Sequence, residues 1–172
     1  SRPGFDPNFF GRGLTRVEFA ALNDNIDRPL FNRALRGTYP PGSTIKPVVA
    51  LAALSNGVMV PSDSRFCRGY YTLPGSSHRV RDWKPKGHGP VDMVHAIAQS
   101  CNTYFYQAGL RLGLDSLTAY AREVGLGCLT GIDMPGEKPG NIPSREWLNS
   151  RYGKNKWGAG SVLNFSIGQG EV

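Results

Sequence analysis

The pattern of polar and apolar positions changes near residue 43. Residues 1 to 42 are punctuated by Pro3-Gly4, Asp6-Pro7, Gly11 and Gly13 and close on Tyr39-Pro40-Pro41-Gly42, which predicts loops and short extended pieces. From Ser43 a run of mostly apolar residues reaches Leu54 and stops at Gly57. It predicts a helix with Ser43 at the cap or first turn, where Pro47 is tolerated because it sits near the start. Beyond Lys46 that helix is apolar on every face, so it should be buried at the domain centre. Residues 58 to 90 form a polar, aromatic-bearing excursion without helical period. A second helix is predicted from Pro90-Val91-Asp92 through Ala98, interrupted by Ser100-Cys101-Asn102, with helical spacing resuming from Tyr104 to Leu112. Asp115 to Val124 predicts another helix, capped by Asp115 and carrying Leu117, Tyr120 and Val124 on one face. Gly-rich loops follow, and Val162 to Ile167 reads as a short strand-like or buried run ending in Gly168-Gln169-Gly170.

Composition changes this picture little. With 172 residues, 40% hydrophobic and 19% charged, the chain has an ordinary globular balance and enough length for one domain with a core. Its 22 Gly and 13 Pro imply many turns. The net charge of +7 raises the question of a nucleic-acid partner. The basic residues are scattered, however, and the densest group, Arg79 to Lys86, is broken by Val80, Asp82 and Pro85, so a basic surface without nucleic acid is expected. Three cysteines exclude a fully paired disulfide framework. There is no apolar run of about eighteen residues, and Ser-Arg-Pro-Gly-Phe is not a signal peptide, so any anchor or export signal is expected outside this chain.

Candidate chemistry begins with Ser43 and Lys46. Three apart on a helix, they share one face. A serine hydroxyl needs a neighbour to take its proton, and burial beside it favours the neutral amine that can do so. The amides of a helix start also favour negative charge there. The plain alternative is a capping serine beside a solvated lysine, but Lys46 leads into an apolar helix, a poor place for a solvated charge. The interruption Ser100-Cys101-Asn102 offers a hydroxyl that can relay a proton and an amide that can hold a carbonyl; its alternative is an Asn-containing turn.

Ser43-x-x-Lys46 followed by Ser100-x-Asn102 resembles the ordered motifs of penicillin-binding proteins and active-site serine β-lactamases. The stretches Tyr39-Pro40-Pro41-Gly42-Ser43-Thr44-x-Lys46-Pro47, Asn32-Arg33-Ala34, Thr130 to Glu137 and Ser166 to Gly170 are similar to class B penicillin-binding proteins. Arg81-Asp82-Trp83, Gly87-His88-Gly89 and Pro143-x-Arg145-Glu146-Trp147 resemble the elongation-specific members. The resemblance implies an α/β (α+β) transpeptidase fold, with helices packed on an antiparallel sheet whose central strands lie mostly beyond residue 172. It implies that residues 1 to 172 are the N-terminal and central part of that domain, without the Lys-Thr-Gly strand, pedestal domain or membrane anchor.

It also implies a D,D-transpeptidase that cross-links peptidoglycan stem peptides, is the target of β-lactam antibiotics, and can be described as a serine-type D-Ala-D-Ala carboxypeptidase. Ser43 would form the acyl-enzyme, Lys46 act as base, Ser100 relay a proton and Asn102 position the substrate, with the Ser43 N–H as half of the oxyanion hole. Expected partners are elongation-complex membrane proteins including a glycosyltransferase, at the periplasmic face of the inner membrane. Rival readings are a serine β-lactamase, for which Glu137 is the obvious loop candidate to activate water, a β-lactam sensor, or a non-catalytic module.

Cys67, Asp82, His88 and Cys101 are all zinc-ligand types, and four suit a closed structural site pinning the 58-to-90 excursion against the break at Cys101. Their spacing matches no standard finger. The alternative is a buried free cysteine, a loop histidine and Asp82 paired with Arg81 or Arg79. Asp63 and His78 are reserve ligands, and Cys128 is expected in the core. Catalysis itself calls for no cofactor.

Overall fold

The apolar run after Lys46 forms a helix for the reasons its sequence suggests, but it starts in two steps. Gly42–Ile45 is a turn of 3-10 helix, and its last residue leads directly into the α-helix Lys46–Ser55 with Pro47 in the first turn, where no N–H is needed. The computed structural model describes residues 3–172, which separate into two units. The first comprises the chain up to Thr38 together with Gly131–Lys138, and the second Tyr39–Thr130 together with Pro139–Val172.

In the first unit, three short helices replace the predicted loops and extended pieces: α1 (Asn8–Gly11), α2 (Arg16–Asn23) and α3 (Arg33–Arg36). For α2 and α3 the reason is capping. Thr15 accepts from the Glu18 N–H while Glu18 reaches back to the Thr15 N–H, a reciprocal box that sets the start of α2. Asn32 caps α3 without such a box, its Oδ1 accepting from the N–H groups of Ala34 and Leu35. The returning segment joins this unit through the Lys138 N–H, which donates to Leu35 O at 2.8 Å.

The second unit holds α4 (Lys46–Ser55), α5 (Met93–Ala98), α6 (Asn102–Glu123), α7 (Arg145–Tyr152) and α8 (Ala159–Ser166), with α6 packed against both α4 and α8. Its core is Val49, Ala53, Tyr104, Phe105, Leu117, Leu148, Leu163 and Phe165, all 2% exposed or less. Gly113, at φ 75 and ψ 166, breaks α6 into the two helical stretches the spacing predicts. The break falls before Asp115, whose carboxylate is not a cap but an ion-pair partner of Arg145 at 2.8 Å.

The strand-like reading of 162 to 167 is corrected, because α8 is a helix. Val162, Leu163, Phe165 and Ser166 fall on one helical face, which burial against α6 selects over an extended run. Cys128 is likewise exposed rather than core, in the loop after α6.

The 58-to-90 excursion carries four strands of three residues: β1 (Arg65–Cys67), β2 (Tyr70–Thr72), β3 (Arg79–Arg81) and β4 (Gly89–Val91). They pair antiparallel as β1 with β4 and β2 with β3, in register Cys67↔Gly89 and Tyr70↔Arg81. Three residues are too few to print an alternation in the sequence. The observed architecture is thus mixed helix and strand with small antiparallel sheets, and no helix among the described residues is long and apolar enough to cross a membrane.

Candidate active site

Ser43 lies exposed in the 3-10 turn, while Lys46, one turn on, is 1% exposed. The elements that bring their partners are α5, whose C-terminal turn ends in Ser100, and the start of α6. Ser100 takes a positive φ of 53, strained for a residue with a side chain, and this reversal aims both its carbonyl and its hydroxyl at Lys46. The Lys46 ammonium donates to Ser100 O at 2.8 Å, Ser100 Oγ at 3.0 Å and Asn102 Oδ1 at 2.6 Å, so its three protons meet three acceptors. Ser100 Oγ in turn donates to Ser43 Oγ at 2.8 Å. The four residues singled out in the sequence therefore form one hydrogen-bonded group, and Lys46 connects to Ser43 through Ser100.

Burial lowers the Lys46 pKa from 10.5 to about 8, against the opposing pull of Asp82 and Cys101. The fully buried ring of Phe105, 5.7 Å from Nζ, forms part of that dry wall. A lysine of this kind exchanges its proton near neutral pH, which a solvated one cannot do.

Gly168 braces this turn, a role the sequence motif alone does not reveal. Its carbonyl accepts from the Gly42 N–H at 2.8 Å, and a Cβ built on it would fall 2.2 Å from Gly42 O. With φ +68 as well, Gly168→Ala is expected to cost roughly 2–4 kcal/mol and to slow any reaction at Ser43 by displacing its neighbour. Thermal unfolding beside the rate at which an acylating probe labels Ser43 checks this; unchanged values for both would refute the bracing role.

Cys67, Asp82, His88 and Cys101 also converge, their ligand atoms all within 4.8 Å of one another. Cys67 Sγ is 3.6 Å from Asp82 Oδ2 and 3.5 Å from His88 Nδ1, Cys101 Sγ is 3.5 Å from Asp82 Oδ2, and His88 Nδ1 is 3.6 Å from Asp82 Oδ1. The four contacts are close to the edge of about 3.3–3.8 Å that a tetrahedron with bonds of about 2.0–2.3 Å would have, although they reach both oxygens of Asp82. Asp82 does not pair with Arg79 or Arg81. Burial opposes its ionisation, but the N–H groups of Thr103 and Lys84, the Cys101 thiol and His88 outweigh this and hold its pKa below the usual value. Burial pushes the Cys101 thiol up to about 12, so without a cation it stays protonated. Of the reserve ligands, Asp63 sits apart in ion pairs with Arg65 and Arg111, and His78 lines a cleft beside β3. Thr103, which bonds Asp82 through both N–H and hydroxyl at 3.1 and 3.2 Å, carried no signal in the sequence beyond its place after Asn102.

A serine, a buried lysine and a second serine are thus joined by hydrogen bonds, on helices beside small antiparallel sheets. The penicillin binding protein transpeptidase domain matches residues 1–170, and the chain belongs to that family. It is 46% identical, over 99% of its length, to the peptidoglycan D,D-transpeptidase MrdA of Acinetobacter baumannii, and covers 25% of that protein. Among solved structures it resembles PBP2 of Pseudomonas aeruginosa in complex with WCK 5153, at 46% identity and TM-score 0.93, covering 99% of this chain and 39% of that one. The Helicobacter pylori complex of PBP2 with MreC is similar at 35% identity and TM-score 0.93, covering 99% of this chain and 31% of that one. The chain thus spans about a quarter of the length of the curated relatives it matches.

Proposed function

We propose that this chain carries the nucleophile of a peptidoglycan D,D-transpeptidase active in cell elongation, with Ser43 as the acyl acceptor. The observation that carries the reading is the chain from Ser43 Oγ through Ser100 Oγ to the buried Lys46 amine. As oriented, Lys46 donates to Ser100 and Ser100 to Ser43, the arrangement of a protonated lysine. With a neutral lysine the same chain reverses. Ser43 Oγ attacks the carbonyl of the penultimate D-Ala, its proton moves to Ser100, and the Ser100 proton moves to Lys46. Collapse of the tetrahedral intermediate breaks the peptide bond, and the terminal D-Ala leaves as an amine that takes a proton back along the chain. An amine of a second stem peptide then attacks the ester, releasing Ser43 and forming the cross-link. Water in its place would give the carboxypeptidase outcome. Asn102, its Oδ1 held by Lys46 and one amide hydrogen directed at Arg81 O, keeps its other amide hydrogen to orient the donor peptide. The Ser43 N–H, at the start of a helix, supplies one oxyanion donor, a contribution worth about 3–4 kcal/mol. The expected Lys-Thr-Gly strand would supply the other.

By analogy with its relatives, the whole protein would act at the periplasmic face of the inner membrane, bind β-lactams, and work with elongation-complex membrane proteins and a glycosyltransferase. A further part of the proposal is a structural zinc at Cys67, Asp82, His88 and Cys101, supported by the buried convergence of the four ligand atoms and the two-thiol donor set. It would tie β1 and the β3–β4 loop to the turn that presents Ser100 and Asn102, and it would deprotonate the two thiols. No catalytic step needs it.

The test is intact-mass spectrometry after incubation with a penicillin, beside Ser43→Ala. A long-lived adduct on the wild type alone is the expected result. Rapid loss of the adduct would indicate a β-lactamase, and labelling of Ser43→Ala would exclude Ser43. A stable adduct without transfer to an acceptor amine would indicate a sensor.

A further inference from the structure

A cleft of about 750 Å³ is formed along the β2–β3 ladder. The side chains of Arg79 and Arg81, two residues apart on β3, both line it, together with His78 and Ser77. Alternation in a strand puts both guanidiniums on one face, while Val80 between them packs toward the core. The Arg79 guanidinium rests on the Tyr70 ring, 4.5 Å from its centroid, which holds it without neutralising it. Neither arginine has an acidic partner among the described residues, whereas Arg12, Arg65, Arg111 and Arg145 all do. The one carboxylate at the cleft, Asp82, is buried and occupied by the N–H groups of Thr103 and Lys84 and by the thiols. Two exposed, unpaired cations in a concavity mark an anion site rather than a solvated face.

The cleft is also tied to the catalytic group. The Arg81 carbonyl accepts from Asn102 Nδ2 at 3.5 Å and from the Tyr106 hydroxyl at 3.2 Å. The strand bearing both arginines is therefore fixed against the residue expected to hold the donor peptide. We propose that Arg79 and Arg81 bind a free carboxylate of the stem peptide, making this cleft a specificity-determining subsite of the reaction. The inference rests on the transpeptidase reading for its ligand. The carboxylate could belong to the acyl-donor strand or to the acceptor strand.

Equilibrium binding to full-length Ser43→Ala tests it independently of the nucleophile. A stem peptide with a free side-chain carboxylate and its carboxamide are titrated by calorimetry, with and without Arg79→Gln/Arg81→Gln. The carboxylate peptide should bind roughly ten- to a hundredfold tighter than the carboxamide, and the double substitution should remove that preference. The Arg79→Lys/Arg81→Lys variant should keep most of it, which separates lost charge from lost fold. Equal affinity for the two peptides, or a preference that survives the glutamine substitutions, would overturn the proposal. Repeating the titration on penicillin-acylated wild type then assigns the source: exclusion of the peptide places the carboxylate on the donor strand, retention on the acceptor strand. Failure of the transpeptidase reading would show differently, in the penicillin labelling of the wild type: no adduct, its rapid loss, or a stable adduct without transfer to an acceptor amine.

Discussion

Replacing Lys46 with alanine should slow acylation by a penicillin about 10²- to 10⁴-fold, the range that a positioned general base contributes. Among the described residues Lys46 is the one titratable group bonded to the serine pair, and at a pKa of about 8 it is the member that can accept the proton near neutral pH. The same assignment fixes the pH profile of the wild type. Acylation should rise about tenfold per pH unit below 8 and level off above it, because only the neutral amine serves as base.

Stability should follow the same group. The folded pKa lies below the ordinary 10.5, so between pH 8 and 10.5 the unfolded chain binds more protons than the folded one. The Lys46 contribution to stability therefore rises with pH across that window and is flat below it, the cost of burying the charge being present in full at pH 7. In Lys46→Ala that rise should vanish. The substitution also removes a buried side chain beside Phe105, and circular dichroism should still report the native helix content. Acylation at the wild-type rate in Lys46→Ala, or a wild-type rate independent of pH between 6 and 9, would remove Lys46 as the base.

Ser43 and Lys46 were legible because one helical turn relates them, a local rule, and the burial of Lys46 followed from the apolar helix that succeeds it. Their link to Ser100, 54 residues away from Lys46, has no local signature, and only the family resemblance of the ordered motifs anticipated it. The metal-type cluster was legible as chemistry rather than spacing, since its ligands come from β1, the residue after β3, the loop before β4 and the turn before α6. The short strands escaped notice because three residues cannot show a period, and ladder partners such as Cys67 and Gly89 lie far apart in sequence. The capping box of Thr15 and Glu18 was in the sequence, yet the Gly and Pro punctuation around it pointed to loops. In Val162 to Ile167 an apolar run fits strand and helix alike, and packing against α6 decided it. Arg79 and Arg81 looked like ordinary scattered charge until β3 set them on one face of a cleft.

Cys101→Ala, or treatment with a strong chelator, should cost the transpeptidase domain about 3–5 kcal/mol and lower its thermal midpoint by roughly 10 °C. The magnitude follows from the surroundings. The Cys67 and Cys101 thiols and the side chains of Asp82 and His88 are buried, so removing one donor or the cation leaves an ionised carboxylate facing an imidazole across a dry pocket. Activity should fall with stability, because Cys101 stands between Ser100 and Asn102 and its N–H, donating to Ala96 O at 2.9 Å, helps set the reversal that aims Ser100 at Lys46. Elemental analysis of the purified full-length protein should find one zinc per chain, lost in Cys101→Ala. Penicillin acylation should drop at a temperature where the variant is still folded. A protein without zinc, whose midpoint and acylation rate are unmoved by the chelator, would mean instead that the four side chains hold one another through S–H and imidazole hydrogen bonds. Cys101→Ala should then cost only about 1–2 kcal/mol.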